Sequence, residues 1–574
     1  MIRPVTRTRL IAALAASLAV AFAAPAHARR EPPRPSLAEQ RGDAYAAALS
    51  ARVAELKGDS AAASRFYRSA AAAWPHDNRL RERAVREAVE AGDLAGAAVL
   101  ARGLKADQRS DFSALVLMTD RLVANDLPAA RAVAAPVFGG GLTVFSIRAL
   151  DQLAEAKMTP SAVDPVGPIS RPDAQPSDLE VAIRALRLDL AGRTPAAVEA
   201  YAEARAGDRT AYAPIVIREA RALARLGRRD QAQAALEGFR AQVPGHIGIR
   251  TELAALAAGG PAPALTVADA SGVLIFAAAQ AAMENRDSEL GLRLLQLAIA
   301  FNPRDDMARI ALGDALSDLD RPAQALAAFA AVPDTSAYAD IARAAQVYVL
   351  IGRQQRQDAL AMAVRGAAGP APSPRALQAH ADAYRALERY TEAEAIYDRI
   401  IAAAGADADW RLLYARGAMR ERLKRWDDAE ADLRRALLAS GNDPEVANYL
   451  AYSWVERGEN LKEAVAMLER AVQDAPRAGH ILDSLGWALF KLGQTDRAID
   501  QLERAAALLP GDPTINDHLG DAYWAADRKL EARFQWSRAV QLATEPDLKA
   551  AIERKLADRP VERPKPHLEA ARGG

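Results

Sequence analysis

The chain contains no cysteine among its 574 residues. Disulfides, thiol nucleophiles, thiolate metal ligands and a lipid-modified N-terminal cysteine are therefore excluded, and the fold must be held by packing. Aromatic residues are scarce at 5%, although hydrophobic residues reach 51%. Much of that apolar content is alanine, which favours tightly crossed helices. Net charge is missing too: 74 basic side chains balance 74 acidic ones, which argues against a globally basic nucleic-acid binder. Catalytic patterns are also lacking. The chain has no His-Glu-x-x-His, no Gly-x-Ser-x-Gly elbow and no P-loop, and its glycine cluster GGGLTVF lacks the lysine and hydroxyl residue that hold phosphate and magnesium. Beyond residue 28 the histidines are His76, His246, His380, His480, His518 and His567, with no closely spaced ligand pair. The expectation is a non-enzymatic chain with no catalytic residues, no cofactor and no metal.

One apolar run opens the chain. Arg3, Arg7 and Arg9 precede 15 uncharged residues from Leu10 to Ala24, and the small-residue site Ala26-His27-Ala28 follows. The run is short of the roughly 20 residues that span a bilayer as a helix. It reads as an export signal cleaved after Ala28, with a retained anchor as the other reading. Removing it leaves 71 basic against 74 acidic side chains. No consecutive arginine pair precedes the run, so general secretion to the periplasm or outer envelope of a bacterium is expected.

What the chain does have is a recurrence. Leu450 and Leu485 lie 35 residues apart, Gly486 and Gly520 lie 34 apart, and Ala464, Ala498 and Ala532 follow at 34 each. Leu468, Leu502 and Trp536 keep step, as do Ala471, Ala505 and Ala539, with prolines at Pro444, Pro476, Pro510 and Pro546. Small, bulky, small and proline at this period mark a two-helix unit that must stack on its neighbours to bury an apolar face. The segment resembles the tetratricopeptide repeat (TPR) family. The resemblance implies an all-α helix-turn-helix solenoid, a right-handed superhelix of eleven or twelve repeats in two or three blocks.

The expected organisation is a signal at 1–28, a Pro-rich linker at 29–36 and an N-terminal repeat block at 37–143. A partly helical Pro-rich hinge at 144–177 and a repeat pair at 178–258 follow. A linker at 259–271, a middle block at 272–373 and the C-terminal array at 374–546 come next. A capping helix at 547–558 and a disordered tail at 559–574 close the chain. Composition sets these limits: Pro160, Pro165, Pro168, Pro172 and Pro176 oppose a sustained helix, as do Pro370, Pro372 and Pro374.

In the TPR family a binding surface lies on the first (A) helix of each repeat. With Pro444, Gly479 and Pro513 as position 1, positions 5 and 9 are Asn448 and Tyr452, Asp483 and Trp487, and Asp517 and Asp521. Phe490 and Trp524 stand at position 12, with His480, Ser484 and His518 at positions 2 or 6. Aromatic side chains offer rigid apolar area there, and Asn, Asp and His offer hydrogen bonds to an extended backbone. The same aromatics also suit packing between successive A helices. Acids at these positions favour a neutral or basic partner segment over an acidic tail.

The phrases ILDSLGWALFKLG, AAALLPGDPTINDHLGDAYW and ARFQWSRAV resemble long bacterial cell-envelope TPR proteins more specifically. That group includes a lipoprotein adaptor that brings a C-terminal processing protease to cell-wall hydrolases; this chain lacks the lipidated cysteine. The resemblance implies an exported scaffold or adaptor that binds protein partners, an envelope protease or cell-wall enzyme among the candidates. It implies no nucleic acid and only indirect membrane association. A periplasmic subunit of a polysaccharide or pilus export machine is the alternative.

Overall fold

The computed structural model describes residues 37–137, 139–163, 178–206, 213–243, 245–368, 372–405 and 408–558. Among these residues the structure is all-α: 29 α-helices and two short 3₁₀ turns, with no strand. Twenty-six of the helices form thirteen consecutive A/B pairs; Leu142–Met158, Ile247–Ala257 and Pro546–Asp558 stand alone. The chain divides into two compact units, Met1–Ile169 and Ser170–Gly574.

Local sequence starts and stops each helix. Asp443 and Asp512 accept hydrogen bonds from the first free backbone N–H groups of their helices, and Pro444 and Pro513 fill the first turn, where a missing donor costs nothing. Between the two helices of every pair one residue takes the left-handed backbone conformation that ends a helix. Gly58, Gly92, Gly192, Gly227, Gly458 and Gly493 do so freely; Asn125, Arg286, Asp320, Gln354, Glu388, Lys424 and Asp527 do so despite their Cβ.

The two helices of a pair cross closely because one has no side chain at the crossing. A Cβ on Gly486 would stand 2.5 Å from Leu502 Cγ and 3.2 Å from the Ala498 carbonyl oxygen. At Gly520 it would meet Trp536 Cδ1 at 2.5 Å, and at Gly417 it would meet Leu433 Cγ at 3.0 Å. The bulky residues so received, Leu433, Leu502 and Trp536, are fully buried, flanked by the buried alanines of the same B helices.

The count of thirteen exceeds the eleven or twelve expected. The pair Trp410–Arg422 and Trp426–Ala439 hides in the sequence because Arg416 stands where Leu450 and Leu485 stand in later repeats. Its guanidinium is buried but bonded twice to Asp432 at 2.7 Å and once to Asp398 at 2.7 Å, and Arg420 joins the same carboxylates. A buried charge is tolerated when it is paired and hydrogen-bonded in this way.

Two expected linkers are shorter than the sequence suggests. Leu142–Met158 lies within the expected hinge, yet Val144, Ile147, Leu150 and Leu153 are buried against Asp111–Val123 and Leu127–Ala134, so it is core of the first unit. The helix expected from 272 begins at Val267, because Thr266 and Asp269 form a reciprocal capping box. That helix, Val267–Glu284, is the one described helix long and apolar enough to cross a membrane; here it packs along Ser288–Phe301. The expected signal, the N-terminal linker, hinge residues 164–177 and the tail from 559 lie outside the described residues.

Gly486→Val is expected to destabilise the array by about 1–3 kcal/mol through overpacking. Gly511→Ala, where a Cβ meets nothing within 4 Å, serves as the neutral control. The measurement is the earliest urea transition in tryptophan fluorescence; an unchanged midpoint for Gly486→Val would contradict the crossing geometry.

Candidate functional site

From Pro374 to Ala525 five A helices stand in succession: Pro374–Ala386, Trp410–Arg422, Pro444–Arg457, Gly479–Lys491 and Pro513–Ala525. Equivalent positions on them form columns. Position 5 reads His380, Tyr414, Asn448, Asp483 and Asp517; position 9 reads Tyr384, Ala418, Tyr452, Trp487 and Asp521.

The last two A helices are joined through these columns. His518 Nδ1 lies 3.0 and 3.1 Å from the two Asp483 carboxylate oxygens. The His518 ring stacks on Trp487 with centroids 4.0 Å apart and planes 9° apart, and Phe490 stacks on Trp487 at 5.2 Å. Trp487 Nε1 donates to Glu456 Oε1 at 2.7 Å, reaching back to the preceding A helix. At the C-terminal end Lys555 of Pro546–Asp558 donates to both Asp517 oxygens at 2.7 and 2.8 Å and to Asp521 at 2.8 Å. Trp536 Nε1 donates to Asp521 Oδ1 at 3.2 Å.

Burial opposes the charged form of His518, but Asp483, joined by Asp517 and Asp521, outweighs it and raises the pKa above the usual histidine value. Burial pushes the Asp517 carboxyl up in spite of Lys555. Burial, with Glu456 and Asp483, likewise pushes the Tyr452 phenol up.

The eleven sequence-predicted residues thus divide. Asp483, Ser484, Trp487, Asp517 and His518 are buried, which corrects their reading as an open face. Successive A helices approach closely enough to turn these side chains toward one another, and the aspartate charges are met by His518 and Lys555. Ser484 Oγ donates to the His480 carbonyl of its own helix. Asn448, Tyr452, Phe490, Asp521 and Trp524 are half-buried, with Trp524 tilted against Trp536 at 5.5 Å. Buried Oδ1 of Asn448 has no hydrogen-bond partner among the described residues. His480 is exposed and lies 2.9 Å from Glu445.

Sequence reasoning missed the N-terminal half of the strip. Tyr384 stacks on His380 at 4.8 Å, and Tyr414 meets Tyr449 edge-on at 5.4 Å. Tyr449 OH donates to Glu421 at 3.4 Å, and burial followed by Glu421 pushes its phenol up to about 12. Counting positions 5 and 9 backwards through Gly417 and Ala383 finds His380, Tyr384 and Tyr414; Arg416 in the leucine column conceals that register.

The tetratricopeptide repeat family matches residues 378–447, 456–513 and 484–547. The C-terminal array is a run of tetratricopeptide repeats. Among solved structures, a TPR protein from Parabacteroides merdae is 16% identical with a TM-score of 0.36, covering 43% of this chain and 97% of that one. A thermophilic TPR protein of Thermus thermophilus is 21% identical (TM-score 0.29; 32% and 100% covered). The APC/C hetero-tetramer Cut9–Hcn1 is 12% identical (TM-score 0.40; 91% and 98% covered). No curated protein matches the chain. Across the TPR array the A helices carry the aromatic strip, and the B helices carry the buried alanine and leucine columns.

Because the His518 pKa is raised in the fold, its contribution to stability is complete below the ordinary histidine value of about 6.5 and is lost as pH rises through the folded value. The melting temperature of the chain is therefore expected to fall across that alkaline rise, and His518→Gln to flatten this part of the profile. Equal pH slopes in the two proteins would rule out a charged His518–Asp483 pair.

Proposed function

We propose that this chain is an exported, non-enzymatic scaffold or adaptor that binds an extended protein segment along the A helices of its C-terminal TPR array. The observation that carries the reading is the strip of half-buried rings Tyr384, Tyr414, Tyr449 and Tyr452, repeated on successive A helices of one array. Each ring is held in place by a neighbour, so little side-chain entropy is lost when a partner docks. Carboxylates border the strip at Glu421, Glu445 and Glu456. They carry the preference for a neutral or basic segment, since Asp483, Asp517 and Asp521 are already met by cations within the fold.

Export rests on the N-terminal pattern of basic residues, a 15-residue apolar run and Ala26-His27-Ala28. An envelope protease or cell-wall enzyme is the partner class that fits this placement and the resemblance of the C-terminal phrases to envelope TPR adaptors.

The test is affinity capture from envelope extract followed by mass spectrometry, with the wild-type chain beside Tyr452→Ala and Glu445→Lys/Glu456→Lys. An aromatic anchor lost from an interface typically weakens binding by about tenfold or more, so the captured partner should fall by that factor in Tyr452→Ala. The lysine pair should select against basic segments. Identical captured proteins and yields from all three baits would remove the A-helix strip as the binding surface.

A further inference from the structure

The first helix, Leu37–Leu56, turns Ala44, Ala51 and Ala54 into the fold. Its opposite face carries Tyr45, Leu49, Val53 and Leu56, exposed at 65, 69, 50 and 72%. Spacings of four, four and three residues put all four in one stripe. The last described helix is different: Pro546–Asp558 presents Asp547, Lys549, Glu553 and Arg554 to water. A repeat stack needs a polar outer face wherever it ends in solvent. The stripe of the first helix lacks one.

We propose that this stripe is where two copies of the chain join, their first helices antiparallel about a two-fold axis at Leu49. The stripe is self-complementary in that arrangement. Leu49 meets Leu49 of the second copy, and Tyr45 lies opposite Val53. Leu56 lies over Gly42, where an added Cβ would meet nothing within 4 Å. At 100° and 1.5 Å per residue, the exposed Asp43 and Lys57 fall on the same edge of the stripe at its two ends. The two-fold therefore sets Lys57 of each copy beside Asp43 of the other, twice over. A parallel pairing would place Gly42 against Gly42 and leave the notch unfilled.

Tyr45 is already oriented for this role. Trp74 packs edge-on against it with centroids 4.8 Å apart, and both rings border a shallow recess of about 900 Å³ toward which the second copy's Leu56 end runs. Four largely exposed side chains on each copy, with their edges, amount to about 1,000 Å² of buried surface, near the lower bound for a specific interface. The dimer is accordingly reversible. It doubles the number of C-terminal TPR grooves per assembly, so a partner with two segments gains avidity without any new contact.

The test is sedimentation velocity on the chain purified from the envelope of an exporting host, from 1 to 100 μM. A concentration-dependent monomer–dimer equilibrium is expected. Leu49→Glu should raise the dissociation constant by at least tenfold while circular dichroism and melting stay unchanged. Asp43→Lys and Lys57→Asp should each weaken the dimer, and the double variant should restore it. Because the chain has no cysteine, Leu49→Cys adds a single thiol on the axis and should yield a disulfide-linked dimer on mild oxidation. A monomer throughout, a dimer indifferent to Leu49→Glu, or a charge swap that fails to restore association overturns the proposal. So does a monomer that binds phosphatidylglycerol vesicles through the stripe, because the occupant is then a membrane.

Discussion

A missing side chain on one helix and a bulky one on the next set the spacing within a repeat. Gly417 with Leu433, Gly486 with Leu502 and Gly520 with Trp536 repeat the device along the C-terminal array. Close crossing leaves each pair with an apolar flank that it cannot bury alone, so the pairs stack. Stacking then sets the A helices side by side. The aromatic strip is thus a by-product of the crossing, since residues at positions 5 and 9 share a face only while the A helices keep step.

The period was legible because its columns are chemically narrow: alanine, leucine and glycine recur where volume is limited. It faded where chemistry changed without a change of shape. Arg416 substitutes for a leucine by carrying its own counter-charges, and Lys424 takes the left-handed turn that Gly458 and Gly493 take later. Neither substitution shows in a search for apolar or glycine columns. Thr266 and Asp269 were legible in principle, being a capping pair three residues apart, but the Gly/Pro stretch before them dominated the reading.

The site was legible as a face and not as a depth. Helical spacing says which residues point the same way, and it placed Asp483, Trp487 and Asp517 correctly on the inner side of their helices. Burial depends on how near the next A helix comes, a tertiary distance that no single-helix pattern contains. An aspartate facing a partner and an aspartate facing His518 look alike in sequence. Lys555, which meets Asp517 and Asp521, comes from a helix more than thirty residues downstream, beyond the reach of any local pattern.

The left-handed residues at the A–B turns act as mileposts. Gly58 and Gly92 are 34 apart, as are Arg286 and Asp320, Asp320 and Gln354, Gln354 and Glu388, and Lys424 and Gly458; only the intervals that contain a lone helix are much longer. Since a stacked unit meets only its neighbours, adding or losing one whole unit recreates the same kind of junction on either side. The gene can therefore lengthen or shorten this array in quanta of one repeat, whereas an insertion of a few residues inside a helix pair would break the crossing on which the stack rests.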